Sequence, residues 1–184
     1  MVVDYRQLLR GDCARCQGLC CVSLPFDRSE WFSFDKAADE PCPYLQPADR
    51  CALHARLVEA GHTGCVSYDC YGAGQRVVQE LYPGRSWRSD SRVARAMFAA
   101  FRRLRDVHEL RLLLHEAKRV PMSADQVAER ERLLGVLEPQ AGISAETLAD
   151  LDLDALHRTV HILLRSLADC TQRAGGRRRL PLAR

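Results

Sequence analysis

Apolar positions recur every three or four residues in the C-terminal half of the chain but follow no regular period in the N-terminal half. One apolar stripe comprises Val93, Met97, Phe101, Leu104, Val107, Leu110 and Leu114. A period of this kind over about six turns predicts an amphipathic helix. We expect that helix to end before Pro121, because proline cannot continue a helix.

Two further helices are predicted C-terminal to this one. Residues 123–126 (Ser-Ala-Asp-Gln) have the pattern of a capping box, which predicts a helix over about 124–137. The pattern breaks at Pro139, and Ser144 can then cap a third helix. The apolar stripe of that third helix comprises Leu148, Leu151, Leu156, Val160, Leu163, Leu167 and Cys170. Three such helices with short connections predict a bundle or a lid.

The first 75 residues contain only short apolar runs, such as CVSLPF and WFSF, among many Cys, Gly and Pro. Such a segment cannot bury a continuous apolar face, which is typical of small domains organised by cross-links or metals. We therefore predict a mainly α fold with a small, irregular, metal-stapled cysteine-rich module at residues 1–80. This module is expected to pack with a C-terminal three-helix region at residues 90–172, followed by a basic flexible tail at residues 173–184.

The charge balance and hydropathy exclude several classes of protein. The 184 residues carry 27 basic and 24 acidic side chains, a net charge of +3, which is too balanced for an obligate polyanion binder. No apolar run reaches the length of about 18 residues that a membrane span needs, and residues 1–13 contain no apolar signal core. We therefore expect a cytoplasmic protein without a membrane partner.

The C-terminal helices and the tail are the candidate partner surfaces. We expect a protein partner to bind the helices. Residues 173–184 include three consecutive arginines, which makes nucleic acid an alternative partner. A solvated terminus is the simpler interpretation of so short a basic run.

Eight of the nine cysteines lie within residues 13–70, and Cys170 stands alone on the third predicted helix. In a reducing cytosol such a cluster indicates metal ligation or redox chemistry rather than structural disulfides. The two-residue gap between Cys13 and Cys16 is the usual chelating spacing. Cys170 is expected to be a buried apolar side chain.

We expect the adjacent Cys20 and Cys21 to have different roles. On a helix, Cys13, Cys16 and Cys20 would lie within about 60° of one another, whereas Cys21 would lie about 100° from Cys20. We expect Cys20 to join Cys13 and Cys16 in one site, and Cys21 to face the ligands supplied by residues 42–70. A turn between Cys16 and Cys20 would preserve the same grouping.

The identity of the metal stays open at this point. Eight thiolates fit two four-cysteine zinc sites, one iron–sulfur cluster with four thiols left over, or one such cluster beside a zinc ion. His54 and His62 are alternative ligands, although eight thiolates suffice without them.

The order of the cysteines resembles a known family. The motifs C-x2-C-x3-C-C, C-P-x-L, C-x-L-H and C-x4-C occupy residues 13–21, 42–45, 51–54 and 65–70. They are similar to those of the YkgJ-type CxxCxxxCC cysteine-cluster family, described as zinc- or iron-chelating domains. The similarity is greatest to the N-terminal cysteine-rich segment of actinobacterial pentapeptide-repeat proteins, but no repeats follow here. The resemblance implies eight metal ligands: Cys13, Cys16, Cys20, Cys21, Cys42, Cys51, Cys65 and Cys70.

These observations predict a cytosolic metal-binding protein that holds zinc, iron or an iron–sulfur cluster and serves as an accessory or interaction module. A distant branch of the family includes a flagellin lysine methylase, so the resemblance leaves an iron–sulfur-dependent modifying enzyme as the alternative. A nucleic-acid-associated regulator that uses the arginine-rich face and tail is a further one. The sequence contains no Ser/His/Asp set and no phosphate-binding loop, so it indicates no catalytic residues.

Overall fold

The computed structural model describes residues 4–138 and 144–175, with side chains described as far as residue 169. In these ranges the protein is mainly α-helical, as predicted. Two isolated antiparallel bridges, Phe26 with Lys36 and Leu45 with Cys51, are the β-type pairings found there. None of the described helices is both long and apolar enough to cross a bilayer. The predicted role of the Cys170 side chain and most of the predicted tail lie outside the described residues.

The described part of the chain contains five short helices, of four to six residues, and three long ones. They are α1 (Tyr5–Leu8), α2 (Leu19–Ser23), α3 (Thr63–Ser67), α4 (Ala73–Arg76), α5 (Ser91–Glu116), α6 (Ala124–Leu137), α7 (Ala145–Asp150) and α8 (Leu153–Gly175). Single turns of 3-10 or π helix occur at Cys13–Arg15, His54–Arg56, Val77–Leu81 and Ala117–Arg119. The helices of the cysteine-rich segment are short because that segment has no periodic apolar positions.

The described residues form two compact units. The first contains residues 4–108 and 144–151, so it combines the cysteine-rich segment with most of α5 and with α7. The Ser23 hydroxyl donates to Phe98 O, and the Arg102 guanidinium donates to Ser23 O at 2.9 Å, which joins α2 to α5. The buried apolar side chains of this unit are Leu9, Leu19, Val22, Ala73, Val77, Trp87, Met97, Phe98, Ala100, Phe101, Leu104, Val107 and Leu148.

The second unit contains residues 109–138 and 152–175. The Arg130 side chain, which is only 1% exposed, donates to Leu114 O at 2.7 Å and joins α6 to the last turns of α5. Gln126 donates to the Ser166 hydroxyl at 2.9 Å and joins α6 to α8. The buried apolar side chains of the second unit are Leu110, Leu114, Ala117, Leu133, Leu134, Leu137, Leu153, Val160, Leu163 and Leu167.

The helix predicted from apolar periodicity is confirmed as α5, and the helix predicted from the capping box is confirmed as α6. The predicted capping box is also formed, because the Ser123 hydroxyl accepts from Gln126 N at 3.3 Å and the Gln126 side chain accepts from Ser123 N at 2.9 Å. These two bonds satisfy backbone donors that the helix itself leaves unpaired.

The third helix was predicted as one continuous helix. This prediction is wrong, because two helices, α7 and α8, occupy its residues. Leu151 adopts an extended conformation with φ −66° and ψ 130°, which ends the first of them. The Asp152 carboxylate then accepts a hydrogen bond from Ala155 N at 2.9 Å and starts the second. An aspartate at this position caps a new helix better than it continues an old one.

Replacement of Ser123 by alanine should lower the free energy of unfolding by about 1 kcal/mol, because it removes the acceptor of the capping box. Urea unfolding followed by far-ultraviolet circular dichroism measures this change. Ser123→Asp keeps an acceptor oxygen and should stay close to the original stability. Equal losses in both variants would contradict a capping role for this side chain.

Candidate metal centre

All eight clustered cysteines lie in the first unit and are free thiols. Cys13 and Cys65 are exposed, and the other six are partly buried. Among the residues that the structure describes, no three Cys, His, Asp or Glu side chains converge closely enough to hold one ion. The described sulfur atoms therefore do not form a coordination polyhedron around one point.

The segment that carries the first three cysteines is a turn followed by α2 rather than one helix. Cys13 lies in a 3-10 turn, and Cys16 is extended with φ −113° and ψ 155°. Gly18 has φ 65°, and a Cβ there would lie 2.6 Å from Leu45 Cδ1. Only glycine fits this left-handed, crowded position, so the chain turns between Cys16 and Cys20.

Hydrogen bonds from distant residues hold this turn in place. The Arg50 guanidinium donates to Cys13 O at 2.7 Å and to Ala14 O at 3.0 Å. The Trp87 indole donates to Gln17 O at 2.9 Å. The carbonyl groups on both sides of Cys16 are therefore fixed by side chains from elsewhere in the first unit.

Two glycines make room for the sulfur atoms of Cys16 and Cys70. A Cβ added to Gly74, in α4, would lie 2.6 Å from Cys16 Sγ. A Cβ added to Gly11 would lie 3.2 Å from Cys70 Sγ. Both distances are shorter than ordinary carbon–sulfur contacts, so the backbone approaches these two thiols closely.

Cys13, Cys16 and Cys70 form one group of neighbouring thiols. Burial is the largest cause that raises the pKa of each, to about 12 for Cys16. The charge of a Cys70 thiolate further raises the pKa of Cys13 and of Cys16.

Cys42, Cys51 and Cys65 form a second group. Burial raises the pKa of Cys42, and it raises that of Cys65 to about 11. A Cys51 thiolate raises both values further, and a Cys42 thiolate also raises the pKa of Cys65. The group is tied to α2, because Cys42 N donates to Cys21 O at 2.9 Å.

The arrangement differs from the sequence-based expectation in two respects. The sulfur atoms of Cys20 and Cys21 lie 3.9 Å apart, so the adjacent side chains do not point away from each other. In addition, Cys70 neighbours Cys13 and Cys16, whereas we expected it among the ligands facing Cys21. Ideal helical angles do not apply here, because Cys13 and Cys20 do not share one helix.

Lys36 is a functional candidate that the sequence analysis missed. It is only 6% exposed, and its ammonium group donates to Val22 O at 3.1 Å, Leu24 O at 2.6 Å and Ala37 O at 2.9 Å. These three bonds use all three donors and hold a positive charge at the C-terminal end of α2. The available signal was that Lys36 is one of only two lysines among 27 basic residues.

The surroundings of Lys36 connect it to the thiols. Burial lowers the pKa of the ammonium group, and negative charge on Cys42 and Cys21 raises it again. Reciprocally, the Lys36 charge lowers the pKa of Cys42. A buried cation therefore lies beside the second group of thiols and favours their ionised form.

His62 belongs to an aromatic cluster rather than to the group of thiols. It is 2% exposed, lies 5.3 Å from the ring of Phe34 and 5.5 Å from that of Tyr44, and is 3.3 Å from the Ser33 hydroxyl. His54, in its 3-10 turn, is exposed. His62 is therefore packed among aromatic rings, whereas His54 lies at the surface.

An open groove of about 710 Å³ lies beside the cysteine-rich segment. Its walls include Trp31 and Phe32 on one side and Tyr68, Asp69 and Arg105 on the other. The Tyr68 hydroxyl is buried and has no hydrogen-bond partner within the described ranges. Tyr68 and Asp69 lie in the short stretch between the cysteines at 65 and 70, so the groove adjoins the thiols.

Comparison with known proteins identifies one curated relative. Over 146 residues the chain is 38% identical to a protein of Bacillus subtilis (strain 168) described as "Uncharacterized protein YybG". The alignment covers 79% of this chain and 52% of YybG, so the chain spans about half the length of that relative. No family model and no solved structure matches the chain.

Gly64→Ala should destabilise the first unit by about 1–3 kcal/mol, because a Cβ at this position would lie 2.3 Å from the Phe32 ring. That ring cannot move freely, since it stacks on Phe26 with centroids 4.2 Å apart. Gly135→Ala is the matched control: nothing lies within 4 Å of its Cβ in α6, so it should stabilise by about 0.5–1 kcal/mol. Urea unfolding compares them, and equal effects would contradict the packing argument.

With metal removed by a chelator, the reduced chain should lose stability as the pH rises from about 9 towards 12. Unfolded thiols ionise near the ordinary pKa of 9.0, whereas folding raises that of Cys65 to about 11 and that of Cys16 to about 12. The folded state therefore retains protons that the unfolded state releases, so alkaline pH favours unfolding. Urea unfolding across this range should show the loss, and Cys16→Ser should reduce it. A free energy of unfolding that stays constant would refute the argument.

Proposed function

We propose that the cysteine-rich segment is a thiolate metal centre, which binds zinc or an iron–sulfur cluster in an accessory or interaction protein. The observation that carries the proposal is the gathering of eight free thiols from four separate stretches of chain into one compact unit. The donor chemistry fits, because both zinc and iron–sulfur clusters are bound by four cysteine thiolates.

The electrostatics of the thiols supports the same proposal. Burial and mutual repulsion keep thiols such as Cys16 and Cys65 protonated near neutral pH. A metal cation reverses this preference, because its charge stabilises several thiolates at once and the displaced protons pass to solvent. Closely spaced thiolates are therefore unfavourable without a metal and favourable around a bound cation.

The fold of the segment also supports a structural role for the proposed metal. Residues 24–62 contain no α-helix, and a single 3-10 turn, among the elements that the structure describes. A four-thiolate zinc site can contribute on the order of 10 kcal/mol to folding, which is enough to organise such a segment. The proposed metal would then hold together loops that apolar packing alone holds weakly.

An interaction role is supported by apolar side chains that remain exposed. In the cysteine-rich segment, Trp31 is 50% exposed and Val66 is 55% exposed. On α8, Ile162 is 60% exposed beside His157 and His161, whose rings stack at 6.1 Å. Exposed apolar groups of this size are frequent in protein-binding surfaces. We therefore propose a protein partner for the C-terminal helices, in a cytoplasmic setting.

The absorption spectrum of anaerobically purified protein distinguishes the two metals. A brown protein with broad absorbance near about 400 nm would be expected from sulfide-to-iron charge transfer in an iron–sulfur cluster. A colourless protein with stoichiometric zinc would indicate a thiolate zinc centre, since zinc has no redox or d-electron transitions. Metal analysis of the same sample gives the number of ions.

Removal of the metal by a strong chelator should make residues 13–70 sensitive to protease while α5 and α6 persist. The reason is that the segment would lose the bonds that connect its loops, whereas the longer helices retain their apolar contacts. Limited proteolysis with mass spectrometry locates the cuts, and circular dichroism follows the helices. Addition of metal should restore resistance. Unchanged resistance in fully metal-free protein would refute the structural role.

A further inference from the structure

We infer that the outward face of α8, from His157 to Arg165, binds an acidic amphipathic helix of a protein partner. The inference rests on the proposed function, in which the C-terminal helices bind a protein, and it specifies the chemistry of that protein. It concerns the second unit alone, since every residue of this face lies on α8.

The face is a shallow cleft of about 420 Å³ on the surface of α8, called here the basic face. It is lined by two histidines, two arginines and an isoleucine: His157, Arg158, His161, Ile162 and Arg165. These side chains recur at helical spacings of three and four, so they form one stripe about 12 Å long. Among the described residues, no acidic side chain lines this cleft.

The basic face is separate from the face that α8 packs into the core. Val160 and Leu163 are buried, whereas Ile162 is 60% exposed. A single exposed isoleucine is ordinary on a protein surface and indicates no partner by itself. The groups around Ile162 distinguish it, because an apolar centre between two cationic side chains is complementary to a specific kind of ligand.

The two guanidinium groups of the basic face have no acidic partner. Arg158 and Arg165 are both exposed, and neither forms an ion pair within the described ranges. Asp154 stands four residues before Arg158, a spacing that permits a pair within a helix, yet that pair is not formed. By contrast, Arg132 on α6 contacts Glu129 at 2.7 Å. The positive charge of the basic face therefore remains available to a ligand.

An acidic amphipathic helix matches this arrangement in charge and in spacing. Arg158 and Arg165 are seven residues apart, which is about 10.5 Å along the axis, and Ile162 lies between them. A facing helix places two carboxylates at the same separation, with an apolar side chain between them. Guanidinium groups form strong, often bidentate hydrogen bonds to carboxylates, and each imidazole ring has an N–H donor. The apolar side chain of the partner would remove Ile162 from water.

A nucleic acid fits the basic face less well than an acidic helix. Phosphates along a backbone reward rows of basic groups, and they offer no apolar surface to an isoleucine at the centre. Two turns of one helix also bury less than the roughly 800 Å² per partner of a standard interface. We therefore expect a weak interaction that salt weakens further, because the charges are exposed.

Fluorescence anisotropy with a labelled synthetic peptide tests the basic face on the full-length chain. The probe is a helical peptide of about 20 residues, long enough to be helical alone, with glutamates seven residues apart and a leucine between them. It should bind with a Kd on the order of 10⁻⁵ M, as suits a small interface. The same peptide with glutamines in place of the glutamates should bind about tenfold more weakly. Equal affinities, or no binding of the glutamate peptide, would overturn the inference.

Substitutions on α8 provide an independent test. Arg158→Gln and Arg165→Gln should each weaken binding of the glutamate peptide by about threefold to fivefold, and Ile162→Ser should have a similar effect. Arg92→Gln is the matched control, because it removes the same charge from a side chain that is 85% exposed in the first unit. Its affinity should not change. An equal loss in Arg92→Gln would attribute binding to net charge and overturn the inference. Circular dichroism shows whether each variant keeps its helices.

A DNA duplex of about 20 base pairs is titrated in parallel. Tighter binding of this duplex than of the glutamate peptide, weakened by the same α8 substitutions, would assign the basic face to nucleic acid and overturn the inference.

Metal analysis of the same samples separates this inference from the proposed metal centre. A chain that binds the glutamate peptide but takes up no zinc or iron would refute the metal centre and leave the basic face. A metal-loaded chain that does not bind this peptide would refute the basic face and leave the metal centre. Equal binding of the glutamine peptide would keep a protein partner for α8 and refute its acidic chemistry.

Discussion

The burial of crowded thiols is the constraint on which the rest of the first unit depends. Burial raises the pKa of five of them, and the charge of a Cys20 thiolate raises each of these values further. Such groups cannot ionise together unless positive charge enters among them. Within the described part of the chain, the buried Lys36 ammonium supplies one such charge, and a bound metal cation is the chemical means of supplying more.

The loops around the thiols are organised to keep the sulfur atoms close despite that repulsion. The Gln75 side chain accepts a hydrogen bond from Asp12 N at 2.6 Å and donates one to Arg10 O at 3.0 Å. These two bonds hold the segment before Cys13 in place. Gly74 lets α4 approach Cys16. Because backbone polar groups are satisfied by specific side chains here, the positions of the thiols do not depend on long helices.

Sequence reasoning succeeded where the determining interactions are local. The period of the apolar side chains predicted α5 closely, and the four consecutive residues of the Ser123 capping box predicted α6. It failed where a contact joins distant stretches. Nothing adjacent to Lys36 indicates that its ammonium group reaches Val22 O, and the proximity of Cys70 to Cys16 depends on the path of some fifty intervening residues. The break before α8 depends on a local signal, Asp152, but this signal is ambiguous, because an aspartate can lie on a helix surface as well as cap a new helix.

The two groups of thiols lie in unequal electrostatic surroundings. Burial raises the pKa of Cys13, Cys42 and Cys70. The Asp12 carboxylate adds to the rise at Cys13 and the Asp69 carboxylate to that at Cys70, whereas the Lys36 charge offsets part of the rise at Cys42. A buried ammonium is screened little by salt, while the exposed Arg50 that favours the Cys13 thiolate is screened more. The Lys36 charge therefore favours the thiolate form of Cys42, whereas the two carboxylates favour the protonated forms of Cys13 and Cys70. Metal binding to these cysteines would therefore displace protons from thiols whose charged neighbours differ, although all of the proposed ligands are cysteines.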